Sequence, residues 1–235
     1  MIAHTAASQY AVRPAFRPEP APARDRSGAE RLDQALDDLV RPGVRRTYGR
    51  DEEIYGEGEP AEFVYRVLTG AVRTYRVLSD GRRQVCDFVL PGDYFGVEAS
   101  PDHRATAEAL GDTAVLAIRR SALAELARRD IEIAGELWMM SGRRLERSQD
   151  HILMLGRKSA SERVAGFLID FAGRVEADDD FELPMSRQDI ADYLGLTIET
   201  VSRTFSQFEQ TGMVKAHNSR RIRLTDRRSL EDMCE

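Results

Sequence analysis

Hydrophobic and polar positions change rhythm several times along this chain, and each change marks a different kind of element. Over residues 1–26 there is no period: Pro14, Pro18, Pro20 and Pro22 fall among Ala and Arg. Such a composition predicts a disordered tail. A helical stripe begins near Ser27, where Ser27 and Glu30 have capping-box spacing and Leu32, Ala35, Leu36 and Leu39 share one face. Pro42-Gly43 stops it. From 44 to 118 the pattern turns to short strands, including 63–68, 71–78, 83–90, 105–110 and 114–118. Thr69-Gly70, Ser79-Asp80-Gly81, Pro91-Gly92-Asp93 and Gly111-Asp112 punctuate them, and Asp80-Gly81 suits a hairpin because both residues tolerate positive φ. Many short strands at this spacing predict a β-sandwich or jelly-roll barrel.

Helical spacing returns at Ser121 and runs, with one break, to about Lys158. Ile133, Leu137, Met140, Arg144, Ser148, Ile152 and Leu155 follow steps of four, three and four, a coiled-coil-like seam interrupted by two polar residues. A stripe this long exceeds what one small domain can cover, so it predicts a homodimer interface. A further helix over 159–175 carries Val164, Phe167, Leu168 and Phe171 on one face, and an acidic loop follows. Met185 then opens a helix, a Gly195 turn and a second helix, with Ser186 and Asp189 placed to cap the first. Beyond Gly212, residues 213–216 and 222–224 alternate as a hairpin around Asn218-Ser219-Arg220, which reads as a wing.

The second helix of that pair carries the chemistry. Glu199, Ser202 and Arg203 lie at i, i+3 and i+4 and share one face. An acceptor, a hydroxyl and a guanidinium on one exposed stripe match the edges that bases present in a major groove. Arg187, Gln188, Thr197, Arg220 and Arg221 suit phosphate contacts, which position without specifying. The competing reading of Glu199 and Arg203 is an ordinary surface ion pair.

Charge sharpens this picture only when taken locally. The formal net charge is −6, which alone argues mildly against nucleic acid. Between Thr197 and Arg228, however, seven basic residues face three acidic ones, and acid gathers elsewhere, at Glu176, Asp178, Asp179, Asp180 and Glu182. No apolar run approaches the roughly 18 residues of a membrane-spanning helix. No signal peptide is recognisable, so a cytoplasmic protein without membrane partners is expected. Cys86 and Cys234 cannot form a disulfide scaffold or a four-thiolate metal site. They are the candidates for redox control, although Asp87 beside Cys86 disfavours its thiolate. No Ser/His/Asp set, metal cluster or P-loop points to an enzyme.

Several runs carry a resemblance. They are Gly70-Ala71-Val72, Pro91-Gly92-Asp93-Tyr94-Phe95-Gly96, Asp150-His151-Ile152-Leu153-Met154-Leu155, Ala160-Ser161-Glu162-Arg163-Val164-Ala165 and the helix-turn-helix over 186–205. In this order, from about Leu32 to near the end, they resemble the Crp/Fnr family of bacterial transcription regulators. The reading-helix pattern resembles the Fnr branch, and the missing cluster ligands resemble its FixK-like subgroup. The resemblance implies an α+β fold: an N-terminal cyclic-nucleotide-binding-like β-barrel (jelly roll), a long dimerisation helix and a C-terminal winged helix-turn-helix. The corresponding division is a tail 1–26, a barrel unit 27–120, a dimerisation helix 121–158 and a DNA-binding unit 159–235. It also implies a homodimer on double-stranded DNA that recruits RNA polymerase. The half-site would resemble TTGAT, with Arg203 on guanine, Glu199 on a cytosine amino group and Ser202 on a thymine edge.

The family's sensing devices match poorly. A cyclic-nucleotide cassette needs Gly-Glu and then Arg-Ser; here Gly96 is followed by Val97, Glu98 comes one place late, and Arg104 is followed by Ala105. Iron–sulfur ligands are missing before Ser27, and Leu116 stands at the fourth ligand's place. His4, His103, His151 and His217 are scattered, with no evident haem ligand among them. The expectation is therefore no cofactor and a regulator active without a small molecule, controlling microaerobic or nitrogen-fixation genes. The alternatives are a small-molecule-gated regulator of the same fold, or a protein-binding adaptor with a vestigial DNA unit.

Overall fold

The computed structural model describes residues 44–175, 179–218 and 220–234. The expected tail and the helix expected near Ser27 lie outside the described residues. The first eight strands are β1 (Val44–Tyr48), β2 (Glu53–Tyr55), β3 (Phe63–Thr69), β4 (Val72–Val77), β5 (Arg83–Val89), β6 (Tyr94–Phe95), β7 (Thr106–Ala109) and β8 (Thr113–Arg119). They form two four-stranded sheets, β1-β8-β3-β6 and β2-β7-β4-β5, whose paired strands are all antiparallel. Ile54, Tyr55, Tyr65, Val67, Val72, Val89, Phe95 and Val115 pack between the sheets. β8 is buried on both faces. Its Val115 and Ala117 join this core, while Leu116 and Ile118 turn outward onto the helices.

Those helices are α1 (Arg120–Arg129) and α2 (Ile131–Arg157). The expected break falls at Asp130, which is extended and caps α2: its carboxylate accepts from Glu132 N–H at 2.9 Å and Ile133 N–H at 3.4 Å. After a short extended link at Lys158 and Ser159 comes α3 (Ala160–Arg174), whose Val164, Phe167, Leu168 and Phe171 are all buried. The remaining elements are β9 (Asp180–Glu182), α4 (Arg187–Leu194), α5 (Ile198–Gln210), β10 (Val214–Ala216), β11 (Arg221–Leu224) and α6 (Arg227–Asp232). β9 joins the wing hairpin as a third antiparallel strand, in the order β10-β11-β9, where a loop was expected. Only Phe181 of its three residues is buried, so too little apolar pattern existed to announce it.

The barrel and the C-terminal unit are packed together. Val85, Phe88 and Leu90 belong to the same continuous apolar cluster as Phe167, Phe171, Ile190 and Phe205. Gly70 sits where the chain turns from β3 into β4 at φ +80°, and a Cβ there would lie 2.5 Å from the Asp112 carbonyl oxygen. At the Asp80-Gly81 turn only Gly81 adopts positive φ. Among the described residues no helix is long and apolar enough to cross a membrane.

Candidate nucleic-acid interface

Three local signals build the helix-turn-helix. Ser186 and Asp189 form a reciprocal capping box at the start of α4. Gly195 ends α4 in the left-handed region at φ 62°. Thr197 then caps α5, its hydroxyl accepting from Thr200 N–H at 3.3 Å. Ile190, Ala191 and Leu194 of α4 and Val201, Phe205 and Phe208 of α5 are buried against one another's surroundings, which leaves the opposite face of α5 in solvent.

Glu199, Ser202 and Arg203 are all exposed on that face. The surface ion pair does not form: Arg203 makes no hydrogen bond or ion pair among the described residues. The Glu199 carboxyl is held below the usual range by its own backbone N–H, then by the Thr197 hydroxyl and Arg203, so it stands ionised as a hydrogen-bond acceptor.

Two of the expected phosphate contacts are already engaged. The Arg187 guanidinium lies over the Phe205 ring, with Cζ 3.1 Å from the centroid. One of its Nη atoms is buried without a partner, and burial pushes the group down to about 10 despite Glu209 nearby. Arg187 is thus a strut between α4 and α5 rather than an open cation. Arg221 donates from Nε to Asp180 Oδ1 at 2.9 Å, and the same carboxylate collects Arg223 at 3.4 Å. Asp180 therefore neutralises part of the wing, which makes Arg221 a poor phosphate contact. Gln188 is exposed and donates to Asp192 at 2.7 Å. Arg220 is half-buried; its backbone N–H, not its guanidinium, is what Asn218 holds, at 2.8 Å.

The residues of the seam expected on α2 have different surroundings. Ile133 is 4% exposed and packs with Val64, Leu116, Ile118 and Leu123, and Leu137 packs against the same cluster. These side chains pack on their own barrel. Met140, Arg144 and Leu155 are half-buried and Ser148 is exposed, its hydroxyl donating back to the Arg144 carbonyl. The unpartnered apolar stripe lies about a third of a turn away, on the helical wheel of 3.6 residues per turn. It consists of Ile131, Trp138, Leu145 and Ile152, which are 84%, 78%, 60% and 67% exposed. Gly135, Gly142 and Gly156 alternate with them, and a Cβ at each would meet open space. Ile152 alone belongs to both stripes.

In the barrel, aromatic rings pack together beneath the loop that follows β6. Tyr55 stacks on His103 with centroids 3.6 Å apart and on Phe95 at 6.0 Å, and meets Tyr65 tilted at 5.5 Å. A Cβ on Gly96 would sit 3.1 Å from the Tyr65 ring and 3.3 Å from His103, so these rings press on the loop backbone. Arg120, which the sequence reading passed over, closes that loop by donating to the carbonyls of Ala61 at 2.9 Å, Ser100 at 3.0 Å and Glu98 at 2.6 Å. A cavity of about 260 Å³ remains at the barrel mouth, lined by Arg46, Glu59, Glu62, Phe63 and the Tyr55–His103 stack. The two thiols are protonated rather than poised. Burial around the sulfur raises the Cys86 thiol even though the residue reaches solvent, and burial raises Cys234. Cys234 donates to the Leu230 carbonyl, and its own carbonyl accepts from Lys158 Nζ at 2.6 Å.

Comparison with known proteins agrees with this architecture. Residues 45–130 match the cyclic nucleotide-binding domain and residues 162–233 the Crp-like helix-turn-helix domain. The nitrogen fixation regulation protein FixK of Azorhizobium caulinodans is 44% identical over 83% of this chain and 84% of its own length. FixK of Rhizobium meliloti is 42% identical over 82% and 88%. The solved structure of FixK2 from Bradyrhizobium japonicum superposes with a TM-score of 0.79 at 50% identity, covering 82% of this chain and 98% of that one. The chain belongs to the Crp/Fnr family of transcription regulators, in its FixK-like branch. It is a helix-turn-helix regulator and not an enzyme.

Proposed function

We propose that this protein is a homodimeric transcription activator that reads a TTGAT-N4-ATCAA-like palindrome through Glu199, Ser202 and Arg203 and needs no small-molecule effector. The observation that carries the reading is the exposed, unpaired Arg203 beside an ionised Glu199 on the free face of α5. A guanidinium with no hydrogen bond among the described residues is available for the N7 and O6 of guanine, and a carboxylate for a cytosine amino group. Effector independence is supported by the stacked Tyr55 and His103 and by the Arg120 bonds that close the loop 96–104.

Pairing of two copies is assigned to Ile131, Trp138, Leu145 and Ile152, with the intervening glycines allowing close helix approach. RNA polymerase is the second protein partner, and the cytoplasm is the site of action. The relatives named as nitrogen fixation regulators point to microaerobic or nitrogen-fixation genes as targets. Fluorescence anisotropy of the reduced protein, with no ligand added, tests the reading. Selective binding to the intact palindrome over a duplex lacking both guanines is expected. Selectivity that emerges only after a cyclic nucleotide is added would refute effector independence.

A further inference from the structure

The barrel and the helix-turn-helix are joined by a charge network that lies away from the reading face. Arg73, 8% exposed, stands on β4. It donates from Nη1 to Asp189 Oδ1 at 3.1 Å, from Nη2 to Asp51 at 2.9 Å and from Nε to Glu108 at 3.1 Å. Arg83, which opens β5, donates from Nη2 to the same Asp189 oxygen at 2.7 Å and from Nε to Asp192 at 2.8 Å. Gln84 adds a bond to the Tyr193 carbonyl at 3.2 Å. The other oxygen of Asp189 accepts from the Ser186 N–H at 2.9 Å and its hydroxyl at 2.7 Å. One buried carboxylate thus caps α4 and binds the barrel together.

The geometry has a mechanical consequence. Lys158 and Ser159 form an extended link between α2 and α3, braced by Arg163, which donates to the carbonyls of Leu155 at 2.8 Å, Lys158 at 2.8 Å and Leu194 at 3.0 Å. The ion pairs add direction to the apolar contact between barrel and C-terminal unit, because parting them strands desolvated charges. They grip α4 and leave α5 untouched, so they fix where the reading helix lies without using any reading group.

We infer that Arg73, Arg83, Asp189 and Asp192 are positioning residues: the β4–β5 hairpin holds the helix-turn-helix at a fixed offset from the dimer helix and thereby sets the spacing between half-sites that the protein accepts. This rests on the palindrome reading proposed above. In a two-fold dimer, half-site separation is a direct image of the distance between the two reading helices. A rigid clamp narrows the accepted spacings and a loose one broadens them.

The test uses the full chain and its Arg83→Gln/Asp192→Asn variant, which loses the more exposed half of the network and keeps the Ser186–Asp189 cap. Both are titrated on palindromes with spacers of three, four, five and six base pairs, and on the four-base-pair duplex without its guanines. The parent is expected to favour one spacing, and the variant to lose at least about tenfold of that preference while still rejecting the duplex without guanines. Retention of guanine discrimination separates positioning from general damage. Asp192→Asn alone gives the same effect at smaller amplitude should the double variant unfold. An unchanged spacing preference in a folded variant overturns the inference. A parent indifferent to the guanines overturns the base-reading assignment, and the inference falls with it.

Discussion

The guanidinium of Arg187 lies over the ring of Phe205, its Cζ 3.1 Å from the centroid, and pins the first helix of the helix-turn-helix to the second. Its role is therefore packing. Arg187→Ala is expected to lower the unfolding free energy by about 1–2 kcal/mol through the lost stacked cation. The slope of log affinity against log salt should stay unchanged. Arg220→Ala should behave the opposite way, with unaltered stability and a slope reduced by about 1 per half-site. Urea unfolding and salt titrations check both.

The outward stripe of α2 makes a separate claim. Leu145→Glu places a carboxylate in an apolar seam and is expected to weaken self-association by about 100-fold or more, by sedimentation, without lowering monomer stability. Trp138, the one tryptophan of the chain, is 78% exposed and should shift its emission to the blue as the copies associate. Leu137→Glu should instead damage folding, because Leu137 packs against the barrel cluster.

Gly70 is constrained twice, by φ +80° and by a Cβ position 2.5 Å from backbone oxygen. Gly70→Ala should cost roughly 1–3 kcal/mol, visible as a lower thermal midpoint of the barrel. Gly81, with the same sign of φ but open space around it, should tolerate alanine better.

Two histidines make stability depend on pH. His151 stacks on Tyr193 at 4.1 Å, and His103 stacks on Tyr55; burial lowers both below the ordinary value of 6.5. As pH falls through 6.5 the unfolded chain takes up these protons before the folded one does. Stability is therefore constant above that point and lost below it, down to the depressed folded values. Denaturant midpoints at pH 7.5 and 5.5 should fall in that order, and His151→Phe should shrink the difference.

Much of this architecture was legible because local signals agreed. Ser186, Asp189 and Gly195 announce the helix-turn-helix by capping and turn chemistry, and short strands punctuated by Gly70, Gly81 and Gly92 announce the barrel. What escaped depends on partners distant in sequence. Arg187 and Phe205, or Arg221 and Asp180, look like independent residues until the fold brings them together. The α2 helix carries two apolar faces, one through Ile133 and Leu137 and one through Trp138 and Leu145. Periodicity finds both and cannot say which one its own barrel covers. The Arg73–Asp189 pair is likewise a meeting of two units 116 residues apart.

The central claim is that Arg203 reads a base. The most direct measurement is the ratio of affinities for the TTGAT-N4-ATCAA duplex and the same duplex without its guanines, for the parent and for Arg203→Ala at one salt concentration. The account predicts that the ratio collapses by about 1–3 kcal/mol per half-site, with affinity for the guanine-less duplex little changed. An equal loss on both duplexes would contradict it, since Arg203 would then be contacting phosphate alone.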